Sequence, residues 1–343
     1  MNIRKTKIMA TLGPSTDHIN TLTDLLLAGM DIGRLNMSHG NFGVHANRIK
    51  DLMYVAKKHH KHIDVCVDLP GPKIRIGKFI NQKVHLKANN QFILDPDLDE
   101  NSGTEQIVKI SYPNLYKDLN NKDILLLDDG KIALEVELIN GNKIICLIKT
   151  PGYLSDNKGL SLQGGGLSAD ALTSKDEEAI IFTSQFKIDL FAISFVKTAS
   201  DIIKVRKIIQ EAHSKAKIFA KIETKKAIEN LEEIIKEADG VMVARGDLGV
   251  ELGLAVLPGL QKYILEIADK FNKPAIVATG IMDSMIEHSM PTRAEVMDIA
   301  NSVLDGAKII AFSAETAIGK YPALVVKYAN DICVEAEKLL RKI

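Results

Sequence analysis

Short apolar runs recur along the chain, and most are followed by stretches whose apolar residues repeat every three or four positions. Each run is nearly continuous in apolar residues, as expected for a strand that is buried on both faces. The intervening stretches, such as "ASDIIKVRKIIQEAHS" and "KKAIENLEEIIKEA", have the pattern of amphipathic helices. The pattern predicts eight strands, at residues 7–12, 31–35, 63–68, 188–194, 217–221, 240–244, 274–279 and 308–313.

Eight strands alternating with helices favour an α/β fold of the (β/α)8 TIM-barrel type. In such a barrel the strands are parallel and helices cover them on the outside. A doubly wound open sheet is the structural alternative, because it produces the same alternation of strands and helices.

The stretch between the third and fourth strands has a different pattern. From 73 to 167 the helical repeat disappears and strand-like segments replace it: "KVHLKA", "EQIVKIS" and "DILLLDDGKIALEVELINGNKIICLIK". Asp129-Gly130 and Asn140-Gly141 are strong hairpin-turn signals. A long loop is the simpler interpretation, but several hairpins favour a small β-barrel-like domain inserted into the barrel. The predicted domains are therefore a barrel part at 1–72, the insertion at 73–167 and a second barrel part at 168–343.

Composition narrows the class of protein. The chain has 343 residues, 46% of them hydrophobic and 26% charged, with a formal net charge of +0. No basic excess is present to meet phosphates, so a nucleic-acid partner is not expected. The N-terminus lacks the apolar segment of a secretory signal, and no apolar stretch is long enough to cross a membrane. Three scattered cysteines are typical of reduced thiols, and we expect a cytoplasmic protein.

Polar or charged residues stand at the carboxyl ends of nearly all the predicted strands. In a TIM barrel these ends meet at one rim, where active sites lie. One or two such residues are explained as caps of the following helices, but seven strand ends of this kind predict a site. The residues at these ends include Arg34, Asn36, Asp68, Ser194, Lys221, Glu223, Arg245, Asp247, Thr279, Ser313 and Glu315.

Two acidic residues at neighbouring strand ends predict a divalent metal site. Glu223 and Asp247 offer carboxylate oxygens, and Mg²⁺ is commonly held by one or two carboxylates together with substrate oxygens. Lys221 lies two residues before Glu223, so strand alternation places both side chains on the same face. An ammonium group beside a metal suits the transfer of a phosphoryl group, because both cations offset its negative charge.

Arg34 and Gly246 add anion-binding groups at the same rim. A guanidinium group can bind phosphate through two parallel hydrogen bonds. A glycine lets a phosphate or carboxylate approach backbone N–H groups at a helix N-terminus. In this interpretation the strand at 240–244 ends in Arg245-Gly246-Asp247 because it delivers an orienting cation, an anion-binding backbone and a metal ligand.

Long motifs occur in this order along the chain: "TLGPS", "GMDIGRLNMSHG", "VDLPGPKIRIG", "DDG", "NKGLSL", "ISFVKTASD", "AKIET", "GVMVARGDLGVE", "PTRAEVMDIANSVLDGA" and "SAETAIGKYP". With these motifs the chain resembles the pyruvate kinase family over essentially its whole length. The resemblance implies a central (β/α)8 domain and a mobile β-rich domain that acts as a lid. It also implies a phosphotransferase that moves phosphate from phosphoenolpyruvate to ADP, giving pyruvate and ATP in the last step of glycolysis.

The resemblance also implies roles for individual residues. Lys221 matches the phosphoryl-transfer lysine, and Glu223 and Asp247 match the ligands of Mg²⁺ or Mn²⁺. The backbone amides of Gly246 and Asp247, together with Thr279, are expected to hold the substrate carboxylate. Thr279 also matches the position where the enolate is protonated through water, and Arg34 is the third catalytic candidate. The nucleotide-binding positions are Arg34, Asn36, His39, Arg75 and, in the lid, Lys158.

A monovalent-cation site of the family is matched by Asn36, Ser38, Asp68 and the carbonyl of Leu69. However, Lys73 stands where potassium-dependent relatives carry Glu, and Leu69 and Pro70 also replace their Thr and Lys. The ammonium group of Lys73 supplies a permanent positive charge and would repel K⁺, because like charges about 4 Å apart cost roughly 4 kcal/mol at an effective dielectric near 20. We therefore predict that K⁺ is not required. In the alternative interpretation Lys73 is a solvated hinge residue.

Other departures from the family pattern concern the rim and the end of the chain. "KIET" replaces the commoner "KIEN", Gly280 follows Thr279 where Gln is usual, and Asp283 replaces a usual Glu. The last helical stretch reaches residue 343, so the family's C-terminal domain is expected to be absent. Without this domain we expect no activation by sugar phosphates at the family's usual site. We also expect a homodimer formed through the barrel.

Two alternative functions are weighed against the kinase. A catalytically silent binding or regulatory homologue would be marked by the loss of Lys221, Glu223 or Asp247, and all three are present. A Mg²⁺-dependent lyase or mutase acting on pyruvate enolates needs no lid for ADP. The inserted β domain and Lys158 therefore favour the kinase.

Overall fold

Eight parallel strands form a closed barrel in the computed structural model, which describes residues 4–340. The strand order around the barrel is β1-β16-β15-β14-β13-β12-β3-β2. The predicted TIM barrel is confirmed, and the open-sheet alternative is wrong because β1 pairs with both β2 and β16. The barrel strands are β1 (Lys7–Thr11), β2 (Ile32–Asn36), β3 (Asp64–Leu69), β12 (Leu190–Ile193), β13 (Lys217–Ile222), β14 (Gly240–Ala244), β15 (Ala275–Ala278) and β16 (Ile309–Phe312).

The apolar side chains of these strands pack in two separate layers, one inside the barrel and one between the strands and the helices. Met9, Phe219 and Met242 belong to a buried cluster inside the barrel. Their sequence neighbours Ile8, Ile218 and Val241 belong to the core between the strands and the helices. Successive side chains of a strand point to opposite faces, so burial on both faces requires a continuous apolar run.

Helices form the outer layer, and one predicted helical stretch is broken. Residues 225–238 form two helices because Asn230 leaves the helical conformation (φ −107°, ψ 21°) and its side chain donates to the carbonyl of Lys197 (2.8 Å). The predicted helical pattern is therefore present, but it is divided at Asn230. The helices are α1 (Ile19–Ala28), α2 (Phe42–Lys58), α3 (Ser174–Thr183), α4 (Ala199–Glu211), α5 (Lys225–Glu229), α6 (Leu231–Glu237), α7 (Arg245–Leu252), α8 (Leu257–Lys270), α9 (Arg293–Leu304), α10 (Ala314–Ala317) and α11 (Pro322–Leu340).

A second, curled β structure follows the carboxyl end of β3. Six strands pair in the order β11-β7-β8-β9-β5-β6 around their own apolar cluster, and β10 pairs with β4. Positive φ at Asp129 and Gly130 (57° and 86°) and at Gly141 (64°) makes the two predicted hairpin turns. The strands are β4 (Lys83–Leu86), β5 (Gln91–Asp95), β6 (Ile107–Lys109), β7 (Ile124–Leu127), β8 (Ile132–Asn140), β9 (Lys143–Thr150), β10 (Gly152–Ser155) and β11 (Leu160–Leu162).

The sequence pattern did not single out β5, β10 and β11. The domain limits at 73 and 167 stay a prediction. The insertion starts at the carboxyl end of a barrel strand, so it stands at the rim where the strand ends carry the polar residues.

Candidate active site

A polar cavity of about 170 Å³ lies at the carboxyl ends of the barrel strands. The closed barrel brings together residues that are up to 279 positions apart in the sequence, from Arg34 to Ser313. Of the predicted site residues, those that line this cavity are Arg34, Asn36, Ser38, His39, Asp68, Lys73, Arg75, Ser194, Lys221, Glu223, Asp247, Thr279 and Ser313.

Asp68 is held between two cations. The Nε and NH2 atoms of Arg34 both lie 2.8 Å from its Oδ2, and the Nζ of Lys221 lies 3.2 Å from its Oδ1. Burial by itself raises the pKa of the Asp68 carboxyl, but the charges of Arg34 and Lys221 outweigh it and the pKa is lowered. Asp68 is therefore ionised, and it fixes the positions of both cations.

Lys221 is the centre of a buried polar network. Its Nζ lies 2.9 Å from Glu223 Oε1 and donates to the Oγ of Ser194 at 2.6 Å. Burial lowers the pKa of this ammonium group, but the carboxylates of Asp68 and Glu223 outweigh burial and raise it. The side chain is therefore a fixed, permanently charged cation in the cavity.

Glu223 and Asp247 form a carboxylate pair at the ends of the neighbouring strands β13 and β14. Burial raises the pKa of Glu223, and the charge of Asp247 raises it further. Glu223 Oε2 accepts a hydrogen bond from the backbone N–H of Phe195 (2.8 Å), and Asp247 Oδ1 lies 3.0 Å from the Nζ of Lys73. A bound divalent cation would relieve the repulsion between these two carboxylates.

The donor set fits a magnesium-type ion that is shared with a substrate. Within residues 4–340, no group of three or more His, Cys, Asp or Glu side chains is arranged to hold a metal. Glu223 and Asp247 would thus be the two carboxylate ligands of the metal, and the remaining coordination positions of the metal would be filled by water and substrate. This is the usual coordination of Mg²⁺ beside phosphate groups.

Thr279 has a strained backbone that Arg245 supports. Its φ is 75°, a left-handed conformation that is an outlier for a β-branched residue. Arg245 donates from Nε to the carbonyl of Thr279 and from NH2 to that of Gly280, both at 2.9 Å. The guanidinium group is itself held by both oxygens of Asp298 (2.8 Å each). A Cβ on Gly246 would lie 3.0 Å from Thr279 Cγ2, so this close approach favours glycine.

Of the four residues predicted to bind a monovalent cation, three have oxygens that already accept hydrogen bonds within the protein. Asn36 Oδ1 accepts from the backbone N–H of Ser38 (3.1 Å), and the carbonyl of Leu69 accepts from Ser194 Oγ (2.7 Å). Both carboxylate oxygens of Asp68 contact cations, Oδ2 that of Arg34 and Oδ1 that of Lys221. The charge of Lys73 enters the same cavity, but it contacts Asp247 rather than Asp68.

Of the residues to which the family resemblance gave a role, three do not line the cavity. Lys158 lies in the inserted β structure, where its Nζ is 2.7 Å from Asp128 Oδ1. Leu69 is fully buried and contributes only its carbonyl to the neighbourhood, and Gly246 lines a neighbouring cavity behind Thr279.

Ser194 was recognised only as a strand-end residue, and no specific role was predicted for it, for Phe195 or for the side chain of Asp298. Ser194 links Lys221 to Leu69, and Phe195 (φ 55°) presents its backbone N–H to Glu223. The position of Ser194 and Phe195 at a strand end was a usable signal, because six of the other seven barrel strands also deliver residues to the cavity there. Asp298 lies within helix α9, where the sequence carries no such signal.

A barrel with catalytic-type residues at its carboxyl rim and an inserted β structure defines a TIM-barrel enzyme. A family model described as the pyruvate kinase barrel domain matches residues 3–326. A pyruvate kinase of Buchnera aphidicola subsp. Baizongia pistaciae is 50% identical, and that of Haemophilus influenzae is 43% identical; each match covers 98% of this chain and 71% of the relative. The crystal structure of a pyruvate kinase from Cryptosporidium parvum superposes with a TM-score of 0.93 at 32% identity, covering 98% of this chain and 70% of that chain.

The chain belongs to the pyruvate kinase family and is a phosphotransferase. The family resemblance inferred from the motifs is thereby confirmed. A separate finding concerns membranes: within residues 4–340, no helix has the length and apolar character needed to cross one.

Proposed function

We propose that this enzyme transfers the phosphoryl group of phosphoenolpyruvate to ADP, giving pyruvate and ATP, the last step of glycolysis. The observation that carries the proposal is the buried network in which Lys221 lies between Asp68 and Glu223, in one cavity with Arg34 and Asp247. This is a preorganised cationic site with room for a small anion.

Lys221 and Arg34 are the groups proposed to stabilise the transferring phosphoryl group. In the reaction, the bond between the phosphoryl group and the enolate oxygen breaks, and a bond forms between the phosphoryl group and an oxygen of the terminal phosphate of ADP. Charge spread over the phosphoryl oxygens in this step is offset by cations that are already fixed in place. Asp68 fixes both cations, so no reorganisation is needed during transfer.

Glu223 and Asp247 are the residues that would hold Mg²⁺ or Mn²⁺. The metal when bound supplies positive charge that orients phosphate and enolate oxygens and offsets their charge. Without it, two neighbouring carboxylates face the cavity, and their negative charge is unfavourable for binding an anionic substrate. Burial and the charge of Asp247 raise the pKa of Glu223.

The first turn of helix α7, which directly follows β14, is proposed to bind the substrate carboxylate. The backbone N–H groups of Gly246 and Asp247 are in the first turn of α7, where N–H groups have no helical partner. Thr279 lies beside Gly246, and its hydroxyl group is proposed to direct the water that protonates the enolate.

The nucleotide is proposed to bind along Arg34, Asn36, His39 and Arg75, all of which line the cavity. Lys158 is the exception, because its ion pair with Asp128 lies within the inserted β structure. It joins the site only if the insertion closes over the barrel as a lid.

A coupled assay for pyruvate with phosphoenolpyruvate, ADP and Mg²⁺ tests the proposal. Turnover that requires all three supports the kinase. Absence of turnover with retained ligand binding would indicate a silent homologue. Consumption of a pyruvate enolate without ADP would indicate a lyase or mutase.

We expect the substitution Arg245→Lys to lower kcat about tenfold to a hundredfold, because small displacements of a catalytic group have costs of this size. A lysine cannot hold the carbonyls of Thr279 and Gly280 and both oxygens of Asp298 at once. Proton exchange of the pyruvate methyl group should fall together with turnover, while Mn²⁺ affinity should stay unchanged.

The matched control for this positioning role is Arg206→Lys. Arg206 also joins a carboxylate and a backbone carbonyl, those of Asp239 (3.2 Å) and Glu237 (2.7 Å), but it does not line the active-site cavity. Equal losses in the two variants, or a loss at Arg245 without slower proton exchange, would contradict the positioning role.

We further propose that K⁺ is not required. The oxygens of Asn36, Asp68 and Leu69 in the predicted monovalent site have internal donors, and Lys73 places an ammonium group in the same cavity. In tetramethylammonium buffer the wild type should be indifferent to added K⁺. K⁺ should raise the turnover of the Lys73→Glu variant by about tenfold or more, which corresponds to about 1.4 kcal/mol.

The control for the added negative charge is Lys78→Glu. Lys78 lies on the same segment, is exposed and does not line the cavity. Large activation of the wild type by K⁺, beyond an ionic-strength control, would refute the proposal. So would equal K⁺ dependence of the two variants.

A homodimer formed through the barrel and a cytoplasmic location are proposed on the family membership. The barrel exposes large apolar side chains such as Leu254 (77% exposed) and Met297 (58%), which suits a contact between copies. Light scattering after size exclusion measures the oligomeric state, and a monomer or tetramer would overturn the dimer.

A further inference from the structure

A second cavity, of about 640 Å³, lies at the opposite mouth of the barrel. Its floor includes Ile32, Leu190, Phe219 and Ile309, which belong to the apolar cluster inside the barrel. These residues lie at or near the amino ends of their strands, so this cavity faces away from the active site. Along β13, Lys217 at this mouth and Lys221 at the active site are roughly 13 Å apart.

The lining of this cavity is strongly basic although the whole chain has a net charge of +0. Two aspartates, Asp64 and Asp189, accompany six lysines and an exposed histidine. The basic residues are Lys5, Lys7, Lys187, Lys215, Lys217, Lys308 and His213.

Only part of this positive charge is neutralised within the protein. Lys7 lies 2.7 Å from Asp64, and Lys308 lies 3.8 Å from Asp269. Asp189 is occupied in part by the backbone N–H of Val65 (2.9 Å). In the part of the chain that the structure describes, no ion pair or side-chain hydrogen bond is formed by the ammonium groups of four lysines: Lys5, Lys187, Lys215 and Lys217.

The lysines approach the cavity from opposite sides of the barrel. Lys7 begins β1, and Lys308 directly precedes the neighbouring strand β16; the backbone N–H of Lys7 donates to the carbonyl of Lys308 (2.8 Å). Lys217 begins β13, which is four strands away from β1 in a ring of eight. A ligand in the middle is therefore surrounded by cations, which favours a multiply charged anion over a single carboxylate or phosphate.

We propose that this cavity, here called the lysine mouth, binds a small polyanion that carries two or more phosphate groups. Its volume is within the range of small-molecule sites, roughly 300–1,000 Å³. A concave site of this size suits a compact ligand better than a nucleic-acid strand or a membrane surface. The unpaired ammonium groups supply the attraction, and the apolar floor lowers the local dielectric and strengthens it.

Titration calorimetry of the full chain with inorganic tripolyphosphate, in low-salt buffer without divalent metal, tests this proposal. The double substitution Lys215→Gln/Lys217→Gln should weaken binding by about tenfold or more, because two unpaired charges are removed from a partly desolvated site. Both side chains are exposed, so the fold should tolerate the changes. Kinetic constants for phosphoenolpyruvate should stay unchanged, because the active site lies at the other end of the barrel.

The matched control is Lys57→Gln/Lys58→Gln. These exposed lysines end helix α2 and interact favourably with its dipole, as lysines at helix ends commonly do, but they do not line the lysine mouth. Binding by this variant should equal that of the wild type. The Lys221→Met protein should also retain binding, which separates the lysine mouth from the active-site cavity.

Three results would overturn the proposal. The wild type does not bind tripolyphosphate, the Lys215→Gln/Lys217→Gln protein binds as tightly as the wild type or as the Lys57→Gln/Lys58→Gln control, or the Lys221→Met substitution removes the binding. The last result would assign the anion to the active site.

Discussion

Replacing Lys221 by Met is expected to abolish phosphoryl transfer while the chain stays folded. The substitution removes a fixed cation that lies 2.9 Å from Glu223 and 3.2 Å from Asp68. Loss of one preorganised electrostatic group costs about 3–4 kcal/mol of transition-state stabilisation, or a factor of about 10²–10³ in kcat. The fold should persist because Asp68 keeps its ion pair with Arg34 and Glu223 can take up a proton.

The measurement is kcat in the coupled assay, together with proton exchange of the pyruvate methyl group. Exchange should survive better than transfer, because the proposed proton donor and metal ligands are still present. The control is Lys217→Met, the same substitution at the opposite end of the same strand. Near-normal turnover of the Lys221 variant, or an equal loss in the Lys217 variant, would refute the assignment of Lys221.

Replacing Asp247 by Asn is expected to weaken divalent-metal binding by at least about tenfold, or about 1.4 kcal/mol. The variant removes one of the two carboxylates available to the metal and keeps the size of the side chain. Turnover at limiting Mg²⁺ should fall with it and recover in part at high Mg²⁺. Free Mn²⁺ measured by electron paramagnetic resonance reports the affinity without relying on activity.

Glu251→Gln is the matched control for the metal site. Glu251 is a nearby carboxyl whose pKa is raised by burial, and its Oε1 accepts from the backbone N–H of Lys225 (2.6 Å). Glutamine can still accept this hydrogen bond, so Mn²⁺ affinity should be unchanged. Unchanged affinity in the Asp247 variant, or an equal loss in the Glu251 variant, would show that the metal is held elsewhere.

The sequence by itself determined where the barrel strands lie and that helices alternate with them. It did not determine the closure of the sheet, because an open sheet has the same alternation. Strands buried on both faces require continuous apolar runs, so the strands were recognisable within one or two residues, and 240–244 matches β14 fully. Local rules also gave the hairpin turns at Gly130 and Gly141. In the site, the spacing of Lys221 and Glu223 placed both side chains on one face, since strand alternation is a local property.

Only the tertiary structure decided how these residues are paired. Asp68 lies between Arg34 and Lys221 because three different strands end at one rim, and no local pattern encodes that distance. The support of Thr279 by Arg245 depends on Asp298 in a helix 53 residues away from that arginine.

The tertiary structure also decided the partner of Lys158 and the assembly of the lysine mouth. Lys158 was predicted to reach the site only from a closed lid, and the fold of the insertion pairs it with Asp128. The lysine mouth gathers residues from Lys5 to Lys308, whose spacing in the sequence shows no pattern. Backbone periodicity depends on neighbours along the chain, whereas charge pairing depends on which strand ends the closed barrel brings together.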